Sequence, residues 1–272
     1  MEYFYTLEEI LFTSNPKEKI KKFNEFYKVF LEDGLTYDEN YLPYEFDKPS
    51  YDSFLEIIKP TSLPPIKNFK SIDGKKYLVH TILHIEYSAI DLALDAALRF
   101  KGLPKEYYAD WLEVANDEIR HFLMLEELLS ELGGKYGDFP VHKNLFEAME
   151  QTTEFLKRMA IVPRFLEANG LEQNPKIMEK LNSNKDKFNT KFLEALKIIL
   201  KEEIDHVRKG DRWFKFECER LNLEPENTYL KILEDVYPGI TTRKMDLNFE
   251  ARKEAGFSCN ELKFLSKKED CN

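Results

Sequence analysis

Apolar residues recur along this chain in steps of three and four, the spacing of one face of an α-helix, and few stretches alternate with period two. One stripe runs through Phe192, Leu196, Ile199, Glu203, His206 and Gly210, and a second through Tyr107, Trp111, Val114, Glu118, His121, Leu125 and Leu128. A third follows Val79, Ile82, Glu86, Ala89, Ala93, Ala97 and Phe100. These predict helices from near Asp73 to Gly102, from Pro104 to Gly133, and from near Asp186 to Leu221, with Pro104 suited to a first helical position and the glycines to stops. A fourth stripe, Leu156, Ala160, Pro163, Glu167 and Gly170, predicts a helix that Pro163 kinks before Glu167. For Glu167 to reach the level of Glu203, that helix should resume over Pro175 to Leu181 after a break at Gly170 to Asn174.

The flanks are less regular. Before residue 71 the sequence predicts short helices over Leu7 to Phe12, Pro16 to Leu31 and Tyr51 to Ile58, punctuated by Gly34, Pro60, Pro64 and Pro65. The aromatics of this region (Tyr3, Phe4, Tyr5, Phe23, Phe26, Tyr27, Phe30, Tyr41, Tyr44 and Phe46) suit a surface that docks on the helices, with a lid over a substrate channel as the alternative. After residue 222, short helices are expected near Tyr229 to Val236 and Phe249 to Ala255, with a turn at Pro238 and Gly239. The expected organisation is an N-terminal extension over 1–70, a helical core over 71–222 and a C-terminal tail over 223–272.

Composition fits an all-α chain, with only 10 glycines in 272 residues. The net charge of −10 and pI of about 5.2 disfavour a general nucleic-acid or anionic-membrane surface. No stretch reaches the roughly 18 apolar residues of a membrane span, and residues 1–12 lack the basic start of a secretory signal. Cys218, Cys259 and Cys271 are odd in number, far apart in sequence and without metal-ligand spacing, which suits a reducing cytoplasm. No phosphate loop of the G-x-x-x-x-G-K-[ST] kind is present, and Gly133 to Gly137 reads as a helix stop.

What the stripes carry changes the picture. Glu203 and His206 occupy positions where leucine would be expected, and Glu118 and His121 repeat the spacing in a separate stripe. A bare buried carboxylate costs several kcal/mol unless it is paired, protonated or metal-bound. Glu86 is fifteen residues before Lys101 and Glu118 fourteen after Pro104, so in an antiparallel hairpin the two acids come to the same height. Each half of the chain then offers one Glu and a Glu-x-x-His: Glu86 with Glu118 and His121, Glu167 with Glu203 and His206. That is the ligand set of dinuclear carboxylate sites in four-helix bundles. Four carboxylates balance two divalent ions, and mixed carboxylate and imidazole donors suit iron or manganese. Asp117 and Glu202 precede the two glutamates and are candidates to orient the ligating histidines, with Asp205 a rival. His80 and His84 share a helix face rotated from Glu86 and suit packing or surface roles; His142 reads as solvated, and Tyr87 as structural, with a redox role as the alternative.

This pattern of six residues resembles the ferritin-like di-iron superfamily. The segments Arg164-Phe-Leu-Glu-Ala-Asn-Gly170 and Ala251-Arg-Lys-Glu-Ala-Gly-Phe257 further resemble its branch known as domain-of-unknown-function family 455. The likeness covers about Tyr77 to Leu265 and implies a ferritin-like four-helix bundle and two iron ions, with manganese or a mixed pair as alternatives. It does not imply a reaction. The leading expectation is a cytoplasmic di-iron oxidase or oxygenase that uses O2 or peroxide on a substrate and with an electron donor that the sequence does not name. The alternatives are ferroxidase activity without an organic substrate, hydroxylation of a tRNA base as in a related branch, and metals that only staple the bundle. A homodimer is compatible with the sequence.

Overall fold

The computed structural model describes the chain apart from residues 39, 44–46, 66–69, 185 and 272, so the expectations on Tyr44 and Phe46 lie outside the described residues. Among the described residues every regular element is helical, apart from isolated bridges between Glu2 and Thr36 and between Ile57 and Val141. The all-α expectation holds. The chain divides into two compact units, 1–147 and 148–272.

In the first unit, α1 (Tyr3–Phe12) and α2 (Pro16–Leu31) precede the long helices α3 (Ile72–Arg99) and α4 (Lys105–Glu131). The Glu2 side chain caps α1 by accepting from the Tyr5 N–H, and the Ser71 hydroxyl caps α3 by accepting from the Gly74 N–H. Residues 100–104 leave α3 and α4 room only to run antiparallel, and they pack along their length. The Tyr107 hydroxyl ties the hairpin by donating to the Ala96 carbonyl at 2.9 Å. α3 is buried on nearly every face, including Leu78, Leu83, Ile90, Leu94 and Leu98 outside the predicted stripe.

The aromatics of the N-terminal segment explain part of that burial. Tyr3, Phe4, Phe23, Phe26, Phe30 and Tyr41 are buried, and the Tyr3 hydroxyl donates to the Ala97 carbonyl of α3 at 3.2 Å. Lys19 of α2, wholly buried, pairs with Asp91 of α3, and Ser50 donates to the same carboxylate at 2.5 Å. The helix expected over Tyr51 to Ile58 does not form. Its buried pair Tyr51 and Leu55 mimics helical spacing, but the backbone here pairs with the strand-like residue Val141: the Ile58 N–H donates to its carbonyl at 2.8 Å, and its N–H donates to the Glu56 carbonyl at 2.9 Å.

A short helix that the sequence reading missed, α5 (Asn144–Gln151), contains the boundary between the units. In the second unit α6 (Phe155–Ile161) passes into a π-helical turn at Val162–Leu166, then a 3₁₀ turn at Glu167–Asn169, then α7 (Gly170–Asn182). The disturbance at Pro163 is as expected, but the break expected at Gly170 to Asn174 is absent and Pro175 lies inside α7. A proline has no N–H for the carbonyl four residues earlier. Here that carbonyl, of Leu171, accepts instead from the Asn248 side-chain amide at 3.1 Å, so the helix continues.

α8 (Lys187–Arg220), capped by Asp186, packs against α6, the two irregular turns and α7. The tail folds as α9 (Pro225–Val236), α10 (Phe249–Glu254) and α11 (Cys259–Ser266), the last started by a capping box of Ser258 and Glu261. α11 was not anticipated. Nor was the disulfide between Cys259 and Cys271, whose Cα atoms lie 5.7 Å apart; the fold brings together residues expected to be separate, and only Cys218 is a free cysteine. No helix of the described residues is long and apolar enough to cross a membrane.

Candidate metal centre

The three acid-bearing stripes are buried as their spacing requires: every residue predicted on the faces of α3, α4 and α8 is inside. On the fourth stripe Ala160 and Pro163 are buried, and Glu167 is half-buried. All six candidate ligands therefore lie at least partly out of solvent, five of them on the α-helices anticipated for them and Glu167 in a 3₁₀ turn.

In the first unit, the hairpin brings Glu86, Glu118 and His121 together, each offering a ligand atom within 4.8 Å of the others. The Nδ1 atom of His121 is 3.2 Å from Glu86 Oε2 and 3.3 Å from Glu118 Oε2. Glu118 and His121 are fully inaccessible and Glu86 nearly so. Burial pushes the Glu86 carboxyl above its ordinary range and the Glu118 charge pushes it further, while His121 opposes both. Two carboxylates and an imidazole thus crowd one space closed to solvent. Two carboxylates with an imidazole, and no thiolate, form a donor set that suits a divalent ion such as Fe²⁺ or Mn²⁺.

In the second unit, Glu203 and His206 lie one turn apart on the inner face of α8. Glu167 starts the 3₁₀ turn that follows the π-helical turn, so its backbone is held in an irregular stretch and not in an α-helix. Such departures recur at functional sites because they re-aim one side chain. Two of the acids near the ligands have partners on their own helices: Asp117 accepts from Arg120 at 2.5 Å, and Asp205 pairs with Arg208 and, at 2.7 Å, with Lys209.

The other histidines are structural, and more buried than the sequence suggested. His84 binds the Tyr136 hydroxyl through Nδ1 at 2.9 Å and donates from Nε2 to the His142 carbonyl at 2.8 Å, while the His80 Nε2 accepts from the Gly137 N–H at 2.9 Å. His142, expected in solvent, is half-buried with its ring 6.0 Å from that of His84. Tyr136 also packs on Phe122 and Tyr87, so the connection after α4 folds back over the residues next to His121 and Glu86. Two histidines four apart on one face were the available signal for that return.

In the second unit a cavity of about 410 Å³ is lined by Phe165, Val236, Tyr237, Pro238, Ile240 and Arg243. It joins the π-helical turn to the tail. Its only cationic lining residue is Arg243, which is exposed.

Comparison with known proteins gives a family match over residues 12–263, to DUF455, described as a protein of unknown function. An uncharacterized protein of Haemophilus influenzae is 33% identical over 275 residues, covering 97% of this chain and 93% of its own length. No solved structure matches the chain.

Proposed function

The chain belongs to the DUF455 family, and on that premise we propose that it is a dinuclear non-haem iron oxidase or oxygenase with a ferritin-like bundle. Its metal ligands are Glu86, Glu118, His121, Glu167, Glu203 and His206. The observation that carries this reading is the buried triad of Glu86, Glu118 and His121, with ligand atoms within 4.8 Å. An apolar hairpin has no structural need for two carboxylates at its centre, and a cation removes the penalty of keeping both there. The second unit repeats the residue types with Glu167, Glu203 and His206.

Two ferrous ions, when bound, would supply the electrons that reduce O2. The protein's part is to hold them and to keep water out. The His121 ring lies against two carboxylate oxygens that a cation would claim. The cavity lined by Phe165, Tyr237 and Arg243 is the candidate place for an organic substrate, being apolar with one cation at its edge. The residues buried from α1 and α2 cover α3, which suits a closed catalytic chain better than one shaped to assemble into an iron-storage shell.

The experiment is elemental analysis of protein purified without added metal, followed by O2 uptake of the ferrous-loaded protein in an oxygen electrode. Two irons per chain and stoichiometric O2 consumption are expected. A chain that takes up far more than two irons and elutes as a large shell is a storage protein, and one inert to both O2 and peroxide is not an oxidase.

A further inference from the structure

Three side chains from the tail donate to three backbone carbonyls around Glu167. The Tyr229 hydroxyl of α9 donates to the Arg164 carbonyl at 3.0 Å, Arg252 of α10 donates from Nη2 to the Ala168 carbonyl at 3.2 Å, and Asn248 donates to the Leu171 carbonyl at 3.1 Å. These carbonyls lie in or beside the π-helical and 3₁₀ turns, where the regular ladder of i to i+4 bonds is disturbed. The Arg164 and Ala168 carbonyls belong to the irregular turns themselves, and the Leu171 carbonyl is freed by Pro175, which has no N–H.

The same segments are joined by buried charges. Arg252 binds Glu172 with two bonds, Nε to Oε1 at 2.7 Å and Nη2 to Oε2 at 2.9 Å, and the Asn248 N–H donates to Glu172 Oε1 at 3.1 Å. Arg164, inside the π-helical turn, donates to Glu261 of α11 at 2.8 Å and pairs with Asp211 of α8 at 3.0 Å. Its guanidinium is enclosed by the rings of Phe214, Tyr229 and Phe257 at 4.7, 4.1 and 4.7 Å. Arg164 and Arg252 are both at 0% exposure, so these pairs are shielded from solvent and fixed in direction.

We infer that the C-terminal tail is the positioning element for Glu167: Tyr229, Asn248 and Arg252 hold the irregular turn in the one conformation that aims this carboxylate. The inference rests on the reading of Glu167 as a metal ligand. It assigns the tail a task in metal binding although none of these three residues is itself a ligand. Tyr229 and Arg252 are positioning residues, since each acts on Glu167 through the backbone.

Two conservative variants test this. Tyr229→Phe removes one hydroxyl and keeps the ring around Arg164, and Arg252→Lys keeps a cation for Glu172 but lacks the fork that also reaches the Ala168 carbonyl. Hydrogen exchange of the metal-free protein should show amides in 164–172 exchanging at least ten times faster in the double variant, with those around Glu203 unchanged. Titration with Mn²⁺ should show about ten-fold weaker binding at one of two sites. A control, Phe23→Leu in α2, should lower the melting temperature without changing Mn²⁺ affinity. Unchanged exchange over 164–172 overturns the inference, and so does faster exchange with wild-type Mn²⁺ affinity. If wild-type protein binds no Mn²⁺ or Fe²⁺, the metal reading fails and exchange alone decides whether the tail holds this turn.

Discussion

A Cβ atom added to Gly210 on α8 would lie 2.2 Å from the Cβ of Pro163 in the π-helical turn. Gly210 is one turn beyond His206 on the same face, and Pro163 is four residues before Glu167. The missing side chain lets the irregular turn close onto α8 at this point. A proline that gives up a helical hydrogen bond and a glycine that gives up helix propensity are thus two halves of one contact.

Substituting Gly210→Ala tests that contact with a clear sign. On helix propensity alone the change should stabilise α8 by about 1 kcal/mol. Overpacking against a rigid ring should cost about 1–3 kcal/mol, so net destabilisation is expected by urea denaturation. A stabilised variant would show that the turn is free to move away from α8.

The pair of Lys19 and Asp91 is a second such test, in the first unit. Both are buried, and burial draws the Lys19 ammonium down and the Asp91 carboxyl up from their ordinary values, against the attraction between them. Removing one partner, as in Lys19→Met, should cost about 3–5 kcal/mol because it strands the other charge. Lys19→Met with Asp91→Leu should recover most of the loss. Equal losses in the single and double variants would mean that the pair is not coupled.

His80 gives a pH dependence. Burial lowers its pKa from 6.5 to about 4, with Asp138 opposing, so the folded protein holds the neutral ring, whose Nε2 accepts from the Gly137 N–H. A depressed histidine contributes stability that is fully present above the unfolded value of 6.5 and is lost as pH falls toward 4. The shift corresponds to roughly 3 kcal/mol. Melting curves of His80→Gln should show a smaller loss between pH 7 and pH 4 than wild type, and parallel curves would contradict the assignment.

The long helices and their inner faces were legible because burial selects a 3.6-residue period, and α3, α4 and α8 keep it for seven turns or more. The acids could be singled out for the same reason: Glu86, Glu118 and Glu203 interrupt a stripe that packing would fill with leucine. Where contacts distant in sequence decide, the reading failed. Residues 51–58 gave up a helix for backbone pairing with Val141, and α7 passes through Pro175 because Asn248, seventy-three residues later, serves the released carbonyl. The meeting of Cys259 and Cys271 depends likewise on how the tail returns, which spacing does not encode.

Glu203→Ala addresses the proposed centre from the ligand side. Glu203 is only 8% exposed on α8, so in the metal-free protein it carries the penalty of a buried acid. Deleting it removes that penalty while opening a small cavity, and the metal-free variant should be no less stable than metal-free wild type. With metal the order reverses. Ligand binding stabilises the native state by about 2.7 kcal/mol at a hundred times the dissociation constant, and the variant should lose that gain together with at least one of two ions. Melting both proteins with and without chelator, beside elemental analysis, reads the two effects separately. A chelator-induced fall in melting temperature in wild type alone supports the assignment. If Glu203 is not a ligand, both proteins should carry the same metal and respond to chelator alike.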